Sequence, residues 1–195
     1  MKRPVGMVII AMILSFINAI DGSPVLGSTT APLMSEYAEK ELNSLEERIS
    51  FVKSCESNPK SKWIDGKCFY FLQEIKTYED AQYECSDWFK TFDGNVQGRI
   101  YEPRNRANFE LIFKTATDIF GSQNPVFWLG IDDIQTNGEF RYRSDDKLAT
   151  NSWTPWYEND LEGEDENCLV GIKNKWDDRN CSSYMWVICE SISEP

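Results

Sequence analysis

The chain has 195 residues, 41% apolar and 27% charged, with a formal net charge of −12 and no histidine. That size holds one ordinary domain plus a leader and a linker, while the negative charge excludes nucleic acid and anionic lipid as natural partners. The missing histidine removes the commonest general base, the Ser/His and Cys/His nucleophiles and the usual zinc ligand.

In chain order, Met1-Lys2-Arg3 is a basic start and Val8 to Ile17 an apolar run broken only by Ser15, followed by small residues at Ala19 and Gly22. This is the pattern of a signal peptide over residues 1–22, which makes the mature protein secreted and extracellular. An uncleaved anchor is the rival, but Val5 to Ile20 falls short of the ~20 apolar residues that span a bilayer, so no membrane insertion is expected after cleavage. Residues 23–34 contain a Pro/Gly/Ser/Thr-rich linker.

Residues 35–54 form a short helical neck, because Ala38, Leu42, Leu45, Ile49 and Val52 are spaced four, three, four and three. That alternation is an a/d seam. It gathers several heads into a homo-oligomer through residues 38–52, or it lays one amphipathic helix against its own domain.

From Cys55 the chain reads as one folded unit. Lys67 to Phe71 is a short strand, and Thr77-Tyr78-Glu79-Asp80 resembles a capping box. The helix behind it puts Ala81, Cys85, Trp88 and Phe89 on one face. A second helix is expected from Asn105 to Ile119, with Phe109, Ile112, Phe113 and Ala116 inward and Gly121 as its stop. Phe127 to Ile131 has strand length, and Asn137-Gly138 turns into a hairpin strand over Glu139 to Arg143. Two helices and then strands give an α+β architecture. The six cysteines, Cys55, Cys68, Cys85, Cys168, Cys181 and Cys189, include no C-x-x-C pair and read as a disulfide framework with ~15 conceivable pairings.

Carboxylates crowd two stretches near the C-terminus, Glu158 to Glu166 and Asp177-Asp178, each followed closely by a cysteine. Crowded carboxylates repel unless a cation sits among them, and oxygen ligands on a loop suit Ca2+. A solvated acidic loop is the plain alternative.

At this point residues 55–190 resemble the C-type lectin-like domain in its long form. Trp128-Leu129-Gly130-Ile131 resembles that family's Trp-Ile-Gly-Leu core signature, Thr77 to Cys85 its first helix, and Trp176-Asp177-Asp178 its Trp-Asn-Asp motif. The resemblance implies two helices packed on two small antiparallel sheets, with a long calcium-binding loop region. It implies disulfides Cys55–Cys68, Cys85–Cys189 and Cys168–Cys181.

For the metal, the resemblance implies Glu158, Asp160, Glu166, Asp177 and Asp178 as ligands of one Ca2+. The sugar would then meet Glu158, Asp160, Glu166 and Asp177, with Trp156 or Tyr157 stacking on it, whereas Trp153 is expected in the core. Asn159 stands where sugar-binding members carry a cis proline, and Asp160 and Asp177 stand where they carry asparagines. An ionised aspartate only accepts hydrogen bonds, so a bound diol loses both amide donors. Five carboxylates around a divalent ion leave a local charge of about −3, which Lys173, Lys175 or Arg179 can offset. Asp133 matches one ligand of a second calcium position, but Asn137 and Leu161 depart from it, so one ion is expected.

The function implied is a secreted, calcium-dependent carbohydrate-binding lectin serving in defence against microbes, with a mannose-type sugar favoured over galactose by the leading glutamate of the triplet. The alternative is the same fold binding a protein or other non-sugar ligand. An enzyme built on Glu158 and Asp178 is the third reading, and nothing else in the chain supports catalysis.

Overall fold

The computed structural model describes residues 30–92, 96–149, 153, 156–157 and 165–192. The expected signal peptide and residues 23–29 of the expected linker lie outside them. Among the described residues no helix is long and apolar enough to cross a membrane. Two compact units meet in sequence between Leu42 and Asn43.

Helix α1 (Thr30–Ser57) starts before the helix expected from Ser35 and continues past Lys53. In the first unit it exposes Tyr37, Ala38 and Leu42. In the second it exposes Leu45 and Ile49 but buries Phe51 and Cys55. Phe51 meets Trp63 edge-on, with ring centroids 5.8 Å apart. Its last turns are what dock, while Leu45 and Ile49 face away from the core.

Strands β1 (Ser61–Ile64) and β2 (Lys67–Lys76) form a hairpin whose turn residues Asp65 and Gly66 both have positive φ, as a two-residue turn between twisted strands requires. Helix α2 (Tyr78–Phe92) starts as the capping box predicts: the Asp80 amide donates to Thr77 Oγ1, and that hydroxyl donates to the Asp80 carboxylate. Ala81, Cys85 and Phe89 are buried. Trp88 stays half-buried and stacks on Tyr70 at 4.1 Å. Gly98 opens β3 (Gly98–Ile100), and a Cβ there would lie 2.5 Å from the Cys85 carbonyl, so only glycine lets α2 come this close.

Helix α3 (Arg106–Phe120) is capped by Asn105, which accepts the Asn108 amide, and stops at Gly121 in the left-handed region. Its buried face is Phe109, Ile112, Phe113 and Ala116, as the spacing predicts. Strand β4 (Phe127–Asp132) is buried at every position. The hairpin strand expected over Glu139 to Arg143 shrinks to β5 (Arg141–Tyr142). In the residues before it, the Gly138 amide donates to the Asp133 carboxylate at 2.7 Å and the Glu139 amide to the Thr136 carbonyl, so neither joins the ladder.

Strands β6 (Cys168–Ile172), β7 (Lys175–Arg179) and β8 (Met185–Ser191) complete the sheet. The strand order is β1-β2-β8-β4-β6-β7, with β3 on β8 and β5 on β4. Pairings between these strands are antiparallel except the Phe127–Trp186 contact, where β4 runs parallel to β8 and joins two small antiparallel groups. Disulfides link Cys55 to Cys68, Cys85 to Cys189 and Cys168 to Cys181. The second closes a separation of 104 residues, which in the loop-entropy picture stabilises the fold by about 4–5 kcal/mol.

Candidate metal centre

The β6–β7 hairpin positions the centre. Its two-residue turn, Lys173-Asn174, lies in the left-handed region at both residues, and the register pairs Leu169 with Asp178 and Val170 with Asp177. Trp176 fixes β7 in depth: it is fully buried and stands edge-on to Phe109, Trp153 and Trp156. The two residues after this anchor are therefore drawn in with it. Asp177 is 1% exposed and Asp178 3%.

Burial of two adjacent carboxylates demands compensation. Asp177 forms an ion pair with Arg179. The same guanidinium donates to the Asp178 backbone carbonyl at 2.6 Å. Asp178 Oδ1 is buried and has no hydrogen-bond partner among the described residues. Burial, then the negative charges of Glu166 and Asp177, push the Asp178 carboxyl up to about 6. Glu166 is half-buried, two residues before Cys168, and the Cys168–Cys181 bridge ties that segment to the end of β7.

Three of the five expected metal ligands, Glu166, Asp177 and Asp178, therefore share one electrostatic neighbourhood. The other two, Glu158 and Asp160, lie outside the described residues, as does Asn159 between them. Among the described residues no group of three His, Cys, Asp or Glu side chains is arranged to hold a metal ion by itself. The donors do fit a hard cation in kind: all are oxygens, and the orphaned Asp178 Oδ1 leaves buried negative charge to be met.

Of the expected stacking residues, Trp156 is half-buried, 5.3 Å from the Phe140 ring and bridged to Trp176 in the backbone. Trp153 packs against the same core. Tyr157 is held by its backbone amide, which donates to the Trp176 carbonyl at 2.7 Å, and its hydroxyl accepts from Lys173 at 2.7 Å.

The second calcium position contributes Asp133, whose Oδ1 is buried without a partner among the described residues and whose carboxyl is raised mainly by burial. Its amide donates to the Asn167 carbonyl, which links this loop to the Glu166 segment. Sequence reasoning missed the polar network beside it. Asp132 accepts from Tyr78 and Arg143, and Glu102, 1% exposed, accepts from Arg104 and Ser144. Neither acid belongs to a motif that would have flagged it.

A disulfide-braced α+β unit, with carboxylates buried beside an anchored tryptophan, is the architecture of a C-type lectin domain. The family described as "Lectin C-type domain" matches residues 74–191, more than half of the chain, and the chain belongs to that family. Pulmonary surfactant-associated protein D of Sus scrofa is 28% identical over 167 residues, covering 84% of this chain and 41% of that protein. The low affinity immunoglobulin epsilon Fc receptor of Mus musculus is 26% identical over 150 residues, covering 74% and 40%. The chain spans less than half the length of these curated relatives. Among solved structures, the C-type lectin CEL-I from Cucumaria echinata aligns with a TM-score of 0.58 at 18% identity, covering 70% of this chain and 96% of that one. The mouse scavenger receptor C-type lectin carbohydrate-recognition domain aligns at 0.54 and 24%, covering 68% and 93%. At these identities the structural likeness speaks for the fold alone.

Proposed function

We propose that this chain is a secreted, calcium-dependent lectin that recognises glycans on cell or microbial surfaces. The observation that supports it most directly is Asp178, a carboxylate buried to 3% exposure with one oxygen lacking a hydrogen-bond partner, crowded by Glu166 and Asp177. An ionised carboxylate buried in this way costs stability, which a bound cation would recover. Glu158, Asp160, Glu166, Asp177 and Asp178 would hold one Ca2+. The bound ion would supply open coordination positions for two sugar hydroxyls, since Ca2+ takes about 6–8 oxygens. Tyr157 is the better stacking residue, because Trp156 already packs on Phe140 and Trp176. A mannose-type sugar is favoured over galactose by the glutamate that opens the triplet.

Retention on immobilised mannose and galactose, with calcium and with a chelator, tests this reading. Calcium-dependent retention on either supports it. Calcium-dependent stabilisation with no sugar retained favours the second reading, a module for a protein or other non-sugar ligand. The Asp177–Arg179 ion pair speaks for that second reading, because it occupies a carboxylate where sugar-binding members offer an amide donor.

Clustering would strengthen weak single sites by raising effective concentration. Leu42, Leu45 and Ile49 of the 38–52 seam are 50%, 47% and 53% exposed, so each has apolar surface to offer the same seam on other copies of this chain.

A further inference from the structure

Strand β3 is paired along one edge. Among the described residues it joins β8 alone, with Gly98 opposite Ser191, Arg99 opposite Glu190 and Ile100 opposite Cys189. The Ile192 amide donates to the Gln97 carbonyl, and the Tyr101 amide to the Ile188 carbonyl. Bonds of an antiparallel ladder fall on every second residue, so residues 97, 99 and 101 face β8. The main-chain groups of Gly98 and Ile100 therefore point to the other side. There a cleft of about 470 Å³ runs along residues 97–100, with Gln82 and Arg143 also lining it. The Arg143 guanidinium donates to the Gln82 side chain at 3.2 Å, which holds these two together. One end of the edge is closed. The Gly130 amide donates to the Tyr101 carbonyl at 2.8 Å, and the Gly130 carbonyl accepts the Arg143 amide at 3.0 Å.

We propose that this cleft takes an extended acidic peptide segment of a partner, which adds to β3 as a further strand. An unpaired strand edge is a template for another chain, because its donors and acceptors recur about every 7 Å, the two-residue repeat of any strand. Gly98 would exchange both of its main-chain bonds with one peptide residue, and the Ile100 N–H would donate to a peptide carbonyl two residues away. Which charges show decides the sign of the peptide. The side chains of Glu102, Glu190 and Asp132 are 0%, 1% and 7% exposed and each is met by a guanidinium, whereas Arg99 is 20% exposed and Arg143 46%. The cleft thus presents cations over covered acids, opposite in sign to the chain as a whole with its net charge of −12. Arg143 gives one nitrogen to Asp132 and one to Gln82, and a guanidinium has N–H donors to spare for a peptide carboxylate. This site uses none of the proposed calcium ligands and stands apart from the lectin reading.

The test is amide NMR of the isotope-labelled mature chain in chelator, titrated with three short blocked peptides. These are alternating valine and aspartate, the valine–asparagine isostere, and the aspartate peptide N-methylated at every amide. The Gly98 and Ile100 amide signals should shift and gain protection from hydrogen exchange. The aspartate peptide should bind about threefold to fivefold tighter than the asparagine one at low salt, as one exposed charge contact provides, and the difference should shrink as salt rises. N-methylation should weaken binding at least about tenfold through the lost main-chain bonds. Arg143→Gln should bring the aspartate-to-asparagine ratio to about one while Arg143→Lys keeps it, and a purely structural role for Arg143 would leave that ratio unmoved. Amide signals that stay in place with every peptide at millimolar concentration overturn the inference. So does equal binding of the N-methylated peptide, or of the aspartate and asparagine forms. If the same amides are protected without peptide and lose that protection on dilution, a second copy of this chain holds the edge and the peptide inference falls.

Discussion

Arg179 is paired with Asp177 through its guanidinium and also donates to the backbone carbonyl of Asp178, so one side chain fastens both members of the acidic pair. A cation is thus already present beside the proposed calcium ligands. At the proposed site Ca2+ and the guanidinium would compete for the Asp177 carboxylate. Arg179→Gln should tighten calcium binding several-fold while destabilising the calcium-free protein by about 1–3 kcal/mol, since a buried carboxylate loses its partner. Calorimetric calcium titration and melting with a chelator read the two effects separately. An unchanged calcium affinity would show that Arg179 and the ion do not share Asp177.

Asp178 gives the centre a pH dependence whose sign is fixed. Its folded carboxyl keeps its proton up to about 6, against an ordinary value of 3.8. The folded state therefore binds more protons than the unfolded chain between those values. Without calcium, stability rises as pH falls from above 6 toward 4, and above 6 the buried charge costs about 3 kcal/mol. Calcium needs the ionised form, so the stabilisation it provides should fade as pH drops through 6. Melting curves at several pH values, with calcium and with chelator, should converge toward pH 4.

The same logic makes Asp178→Asn act in opposite directions. In chelator the variant should melt higher, by about 2–4 °C for each kcal/mol recovered in a domain of this size. In calcium it should lose most of the metal-induced rise. A variant that melts lower under both conditions would mean that Asp178 serves packing and not metal.

The core of this fold was legible because apolar spacing carries it. Phe109, Ile112, Phe113 and Ala116 recur at helical intervals and form the buried face of α3. The strand Phe127 to Ile131 was visible as an uninterrupted apolar run and is buried throughout. The Asn137-Gly138 turn and a strand after it were visible, but the strand is shorter than its alternation suggests, Arg141–Tyr142 alone, and the Gly138 amide is taken by the Asp133 carboxylate. Side-chain capture of a backbone group leaves no periodic trace. Glu102 escaped for the same reason: its partners Arg104 and Ser144 are 2 and 42 residues away, and no local pattern links them. Acid crowding was readable from Glu166, Asp177 and Asp178, but the Arg179 pairing was not, because charge counts do not tell which cation faces which anion.

The seam on α1 makes a separate prediction. Leu45 and Ile49 are 47% and 53% exposed, whereas Phe51, two residues further, is buried against Trp63. Leu45→Asp with Ile49→Asp should therefore leave the domain folded and abolish self-association, read by sedimentation of the mature chain. An unaltered chain that sediments as a monomer at micromolar concentration would end the neck reading.

The strongest test of the sugar site is to restore what it lacks. Asn159→Pro with Asp160→Asn and Asp177→Asn would supply the proline of the triplet and two amide donors for a vicinal diol. It would also change the local charge with calcium bound from about −3 to about −1. Arg179 loses its carboxylate partner, but at 33% side-chain exposure it can turn to water. Calcium affinity should fall modestly with the lost charge, while retention on mannose should rise. If calcium still binds and mannose retention does not rise, donor chemistry is not the limit. The backbone path of the loop then decides recognition, since a trans peptide between residues 158 and 159 would aim the side chains on either side of residue 159 differently from a cis one.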